Sequence, residues 1–350
     1  MIIDAYAHAY HGNYLSALER IGGDWIKQGI LQIRNVAQSK PDYIDIALRL
    51  SHLDKYNIDL QVVTTGPRLD SSLCPGDTQM QLAVARAVND NMARIMDDSK
   101  GRLISAATVP IRCFEQGGFQ EMKRALKKLG LRAVCLPSNI EGKALDSVEF
   151  EPFWAEAAAM DTAVYIHPYR VAGHCKFSYE AEYDIPHNFG FPYETTVMLS
   201  RFVFSGMLER YPTLKIVTHH LGGMIPFFLG RTIETYDPSK QQSKIGKSLP
   251  KQLIDYFSRF YYDTAVGGSA PAIKCAYEVF GAGQIVFATD YPMGPGSGEN
   301  RLANYPKVIK SLRLPKEHNK MIFEDNARKI LGLKKATNLE EKSVQPRVTK

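Results

Sequence analysis

The segments DTAVYIHP (161–168) and TLKIVTHH (213–220) decide the fold. Each opens on polar or turn-prone residues, runs through a short, largely apolar and β-branched stretch, and stops on histidine. A strand with no alternating polar side has no face for water, which is the signature of parallel strands covered by helices on both sides. GLRAVCLP (130–137) and GQIVFATD (283–290) repeat the form. Working outward, the same reading gives strands at Ile2–Tyr6, Gln61–Thr65, Leu103–Val109, Ala133–Leu136, Ala163–His167, Lys215–Thr218, Phe260–Asp263 and Ile285–Thr289. Helix-period stretches lie between them, among them Ile44–Tyr56, Thr78–Asp97, Phe114–Leu129, Phe150–Ala159, Thr195–Glu209 and Ala270–Phe280. Leu302–Ser311 and Lys316–Leu331 close the series. This alternation predicts an α/β protein of the (β/α)8 TIM-barrel type. An open sheet binding a dinucleotide would carry GxGxxG after its first strand, where DAYAHAYHGN (4–13) stands instead.

Composition agrees with a single large domain. The 350 residues are 45% hydrophobic and 23% charged, enough for a sizeable core and too apolar for a disordered chain. The net charge of +6 is spread thinly, with no basic cluster interleaved with aromatics, so a nucleic-acid partner is not expected while a small anionic substrate is compatible. Five scattered cysteines without a CxxC pair read as reduced thiols. No basic and apolar leader opens the sequence, and no run approaches the roughly 20 apolar residues of a membrane span. The expected location is cytoplasmic, with no membrane partner. The barrel is expected over residues 1–333, with long connections after strands 1 (9–41) and 5 (168–194) at the catalytic mouth. Residues 334–350 read as a polar tail.

Ionisable residues at strand ends need a reason in an otherwise apolar barrel. Strand 1 ends on Tyr6 and His8, strand 5 on His167, strand 6 on His219 and His220, and strand 8 on Asp290. Barrel closure gathers these ends at one mouth, where imidazoles and a carboxylate make a mixed N/O ligand set for a divalent metal. His219 neighbours His220 and is expected to point the other way along its strand. Arg170, just beyond His167, is a candidate partner for a substrate carboxylate.

MIIDAYAH (1–8), VYIHP (164–168), VTHHLGGMIPF (217–227) and VFATDYPMG (286–294), together with YETTVMLSRFVFSGMLERYPTLKI (193–216), resemble the amidohydrolase-related branch of the amidohydrolase superfamily. That branch is typified by aminocarboxymuconate semialdehyde decarboxylase and the benzoate-type nonoxidative decarboxylases. The resemblance implies metal ligands at His8, His167 and Asp290, and acid/base work at His220. Tyr6 stands where the family places a histidine or a glutamate; it either binds the metal as a phenolate or only hydrogen-bonds. Binuclear members carry a carboxylated lysine ending strand 4, and VCLPS (134–138) has none, which points to one metal. Zinc suits the donor set, with manganese or iron favoured by phenolate and carboxylate donors. Catalysis is expected to rest on His220 and Asp290, with a small carboxylated substrate losing carbon dioxide. The alternatives are hydrolysis of an amide, ester or lactone, iron-dependent oxygenation, and a non-catalytic subunit completing another chain's site. In the oxygenase reading, Tyr6, His187, Glu194 and His219 build a second metal position. Homodimers are common in the branch.

Overall fold

The computed structural model describes residues 1–170, 183–236 and 249–334. Eight parallel strands follow one another around a barrel: β1 (Ile3–His8), β2 (Leu60–Thr64), β3 (Leu103–Ala107), β4 (Ala133–Pro137), β5 (Ala163–His167), β6 (Lys215–Thr218), β7 (Tyr261–Asp263) and β8 (Ile285–Val286). The ring closes between its last and first strands, where Ala5 N donates to Phe287 O at 2.7 Å, Asp290 N to Tyr6 O at 3.0 Å and His8 N to Tyr291 O at 2.7 Å. All eight C-terminal ends therefore share one mouth. On β5, Ala163, Tyr165 and His167 face the interior, Ala163 and Tyr165 packing there with Val62, Ile104, Cys135, Val217 and Val286. Val164 and Ile166 face the helices.

Around the barrel run α1 (Gly12–Ile21), α2 (Asp24–Ser39), α3 (Ile46–Lys55), α4 (Thr78–Asp98), α5 (Glu151–Ala159), α6 (Phe191–Phe204), α7 (Ile225–Thr235), α8 (Ala270–Phe280), α9 (Glu299–Ser311) and α10 (Asn326–Leu331). The long connection after β1 is largely helical, because Leu15 and Leu18 of α1 and Ile26, Ile30 and Ile33 of α2 recur at the spacing that buries one helix face. Gly22 and Gly23, at φ 81° and 96°, turn the chain between the two helices. Helix α6 begins four residues before the expected Thr195, since Pro192 sits in its first turn, where a missing N–H costs nothing. No helix among the described residues is long and apolar enough to cross a membrane. The tail beyond Lys334 lies outside the described residues, as do residues 171–182 of the connection after β5.

A buried polar chain ties the closure together. Asp4 accepts from Thr289 N at 2.9 Å, from the Thr289 hydroxyl, and from Gln61 Nε2 at 2.8 Å. The Gln61 carbonyl accepts in turn from Arg49 of α3, whose guanidinium also donates to the carbonyls of His8 and Asp42. These bonds join β1, β2, the segment just after β8 and α3 beneath the mouth. Burial pushes the Asp4 carboxyl up to about 6 against the pull of its donors.

Asp70, after β2, is a second buried carboxyl, accepting from the backbone N–H of Ser72 at 2.9 Å and from its hydroxyl. Burial raises it from 3.8 to about 6. The folded state therefore keeps a proton that the unfolded chain has released, and stability falls as pH rises from 4 to 6, then levels. Asp70→Asn keeps an acceptor for Ser72 and removes the charge. Relative to the parent, the variant is expected to gain on the order of 2 kcal/mol between pH 4 and pH 7 and nothing further above it. Urea titrations of both proteins across that range check this, and a pH-independent difference would contradict it.

Candidate metal centre

At the mouth, His8, His167, His219 and Asp290 gather around the ring of Tyr6. The His8 and His167 ring centres lie 5.3 Å apart, and those of His167 and His219 lie 5.4 Å apart. The Tyr6 ring sits 5.0 Å from His8 and 3.6 Å from His219. His8 Nε2 stands 3.2 Å from Asp290 Oδ1. Two imidazoles sharing one ion at M–N distances of about 2.0–2.1 Å have ring centres about 5 Å apart, so this spacing suits a common cation. The donor atoms have not closed on one point: among the described residues, no three His, Cys, Asp or Glu side chains stand at ligand distance from a single position.

Tautomers follow from the neighbours of each ring. Thr64 donates its hydroxyl to Tyr6 at 3.0 Å, so it is left as the acceptor for His8 Nδ1 at 3.3 Å. His167 Nδ1 meets the Pro168 carbonyl at 2.6 Å, and His219 Nδ1 meets Asp263 Oδ2. Oδ1 of Asp263 already accepts from His220 N at 2.8 Å and Ala265 N at 3.1 Å. All three rings thus hold their proton on Nδ1 and present a lone pair on Nε2, as in metal sites where an outer oxygen fixes the ligating imidazole. The Nε2 lone pair of His8 facing a carboxylate oxygen calls for a cation.

Electrostatics favour the same state. Burial lowers the pKa of His8, His167 and His220, keeping the rings neutral. Burial opposes ionisation of Asp290, but the positive charge of Arg301 beside it helps hold the carboxyl well below the usual range. Arg301 clamps Asp290 Oδ2 at 2.7 Å. Asp290 (φ 59°), His220 (φ 53°) and Leu221 (φ 51°) all adopt left-handed backbone conformations without being glycine. Such strain is sustained where a side chain must be aimed. Gly66 (φ +62°) matters for the opposite reason, as a Cβ there would stand 2.8 Å from His8 Cε1.

The strand register corrects one expectation. His219 keeps an extended backbone beyond β6 and lies two residues after the inward Val217, so it points into the site. His220 follows a left-handed turn and reaches the cavity wall. The turn, absent from a simple strand alternation, lets His220 reach the cavity while His219 faces the barrel interior beside Tyr6 and His167.

The model of the amidohydrolase family matches residues 3–333. The chain belongs to this family. Among curated relatives, the 2-amino-3-carboxymuconate-6-semialdehyde decarboxylase of Dictyostelium discoideum is 26% identical over 304 residues, covering 84% of this chain and 82% of the relative. The 6-methylsalicylic acid decarboxylase of Penicillium expansum is also 26% identical, covering 91% and 93% of the two chains. Among solved structures, the 5-carboxyvanillate decarboxylase of Novosphingobium aromaticivorans, complexed with manganese and 4-hydroxy-3-methoxy-5-nitrobenzoic acid, superposes with a TM-score of 0.80 at 22% identity. That match covers 95% of this chain and 96% of the other.

In this member of the family the centre opens into a cavity of about 1160 Å³. Trp25, Leu73, Phe191 and Met293 supply apolar wall, while Arg68, Arg170 and Arg301 supply positive charge. Arg170 lies against Gly190, where a Cβ would collide with its guanidinium at 2.1 Å. Arg68 and Arg301 escaped the sequence reading because both lie outside the strand-end motifs, on a turn after β2 and on α9. Asp263 ends β7 and could have been found as the remaining carboxylate at a strand end.

The second metal position does not assemble among the described residues. His187 is exposed on the rim and paired with Asp184, and Glu194 lines a separate cavity of about 240 Å³ beside Asn139 and Asp146. Because α6 starts at Phe191, Glu194 lies within its first turn, where its Oε2 accepts from Asn139 Nδ2 at 3.4 Å. Tyr6 is fully buried at the floor of the centre. Its hydroxyl is engaged with Thr64, and burial foremost, then Cys135, raise its pKa well above the ordinary phenol. His11 caps α1 and pairs with Asp98, and His52 bonds the Tyr291 hydroxyl, both structural tasks.

Proposed function

We propose that this chain is a metal-dependent nonoxidative decarboxylase of a small aromatic or enoic carboxylate. The observation that carries the reading is the set of neutral, Nδ1-anchored imidazoles beside ionised Asp290, at the floor of a cavity rimmed by arginines. His8, His167 and Asp290 would hold one divalent ion, for which the imidazole-rich set favours zinc and also accommodates manganese. A bound ion supplies a Lewis acid that draws charge from a substrate oxygen. Tyr6 stays a neutral phenol closing the floor. The named decarboxylases among the relatives support the reaction class, and the absence of lysine at the end of β4 supports a single ion.

Arg68 and Arg170 would orient the substrate carboxylate by charge-assisted hydrogen bonds. Trp25 and Phe191 form flat apolar walls for an unsaturated ring. As the bond between ring carbon and carboxylate breaks, its electron pair stays on the carbon. His220 then delivers a proton to that carbon and takes another from solvent through the cavity mouth. One proton is consumed for each carbon dioxide released.

The chain purified without added metal is expected to hold about one divalent ion and to release carbon dioxide from a member of an ortho-hydroxybenzoate and enoic-acid panel. Elemental analysis and headspace carbon dioxide measure both. Metal-free protein, or turnover that adds water to an ester or amide with no carbon dioxide released, would refute the assignment.

A further inference from the structure

We propose that His219 is a metal ligand in this chain, supplying through Nε2 the donor that Tyr6 withholds. The inference rests on the metal centre proposed above and extends it to a fourth protein donor. His219 is 2% exposed, and its Nε2 is buried with no hydrogen-bond partner among the described residues. An unpaired polar atom at that depth is costly, so it needs a partner of another kind. The missing partner is an electron-pair acceptor rather than a hydrogen-bond acceptor, because the ring proton is already committed. Asp263 takes it on Oδ2, while two backbone N–H groups occupy Oδ1. Carboxylate, imidazole and cation in line is the arrangement by which proteins raise the basicity of a ligating histidine.

Position and substitution point the same way. The His219 ring lies 5.4 Å from that of His167, matching the 5.3 Å separation of His167 from His8. It also lies 3.6 Å from the Tyr6 ring, beside the strand position whose side chain directs its hydroxyl to Thr64. His220 differs in kind: its unpartnered buried atom is Nδ1, and its ring is not tied to a carboxylate. The adjacent histidines thus divide the work, His219 binding the ion and His220 moving the proton.

The test reads coordination directly. In cobalt(II)-loaded parent protein, each imidazole bound through Nε2 contributes one exchangeable, paramagnetically shifted Nδ1–H proton resonance. Three such resonances are expected, from His8, His167 and His219, and two would overturn the proposal. His219→Ala should weaken cobalt affinity by at least about a hundredfold, and Asp263→Asn by about 10–100-fold. Tyr6→Phe should leave both the affinity and the ligand-field spectrum unchanged. Circular dichroism of the metal-free variants shows whether each is folded, and the parent resonance count stands even if His219→Ala is not. A folded His219→Ala with parental affinity and spectrum would also overturn it. Parent protein that takes up no cobalt would instead sink the metal-centre reading itself.

Discussion

Replacing His220 with asparagine is expected to lower kcat by about 10²–10⁴-fold while leaving one metal ion bound per chain, the range that general acid–base groups contribute. The side chain lies at the wall of the large cavity, and its Nδ1 is buried with no partner among the described residues. Its backbone is held in the left-handed region at φ 53°, and its N–H is bonded to Asp263. An imidazole aimed this way at the cost of backbone strain, with its buried Nδ1 left unpaired among the described residues, is placed for a group that arrives with substrate. Burial lowers its pKa, so the neutral ring is the resting form and a proton is taken up before it is passed on. Asparagine keeps the polarity and loses the transferable proton. Turnover on the substrate identified by screening, together with elemental analysis, measures both quantities. Retained turnover would remove His220 from the chemistry, and loss of the metal would make it a ligand.

The second large effect is expected far from the substrate. Arg49→Met should destabilise the fold by about 3–5 kcal/mol, the range for removing one member of a buried charged network. Arg49 is fully buried, donates to three acceptors on Asp42, Gln61 and His8, and lies 4.9 Å from the Tyr291 ring centre. Methionine fills much of the volume but leaves the Gln61 and His8 carbonyls without donors beneath the mouth. Arg49→Lys is expected to recover less than half of the loss, because one ammonium cannot reproduce the planar fork that spans three acceptors. Guanidinium-chloride titrations give the stabilities. A methionine variant within about 1 kcal/mol of the parent would show that the network is not what secures the closure.

The two experiments bear on different layers of the site. His220 acts on substrate. Arg49 acts through the His8 carbonyl, so its loss should also loosen metal binding, which the same protein samples can report.

Much of this was legible in the sequence. Continuous apolar runs ending on histidine or aspartate identify parallel barrel strands, because a strand buried on both faces has no other composition open to it. The period of two in VYIH then places His167 on the face of Tyr165, and family resemblance adds the expected roles of His8, His220 and Asp290. Tertiary structure alone decided the rest. Arg49, Gln61, Asp4 and Thr289 come from four separate elements and meet only when the ring closes, so no local pattern joins them. Likewise, His219 could be oriented only once the left-handed backbone at His220 was seen, and its carboxylate partner stands 44 residues away on the next strand. Hydrophobic periodicity is a property of neighbours along the chain, whereas the aim of a buried donor is set by whichever distant groups satisfy its other atoms.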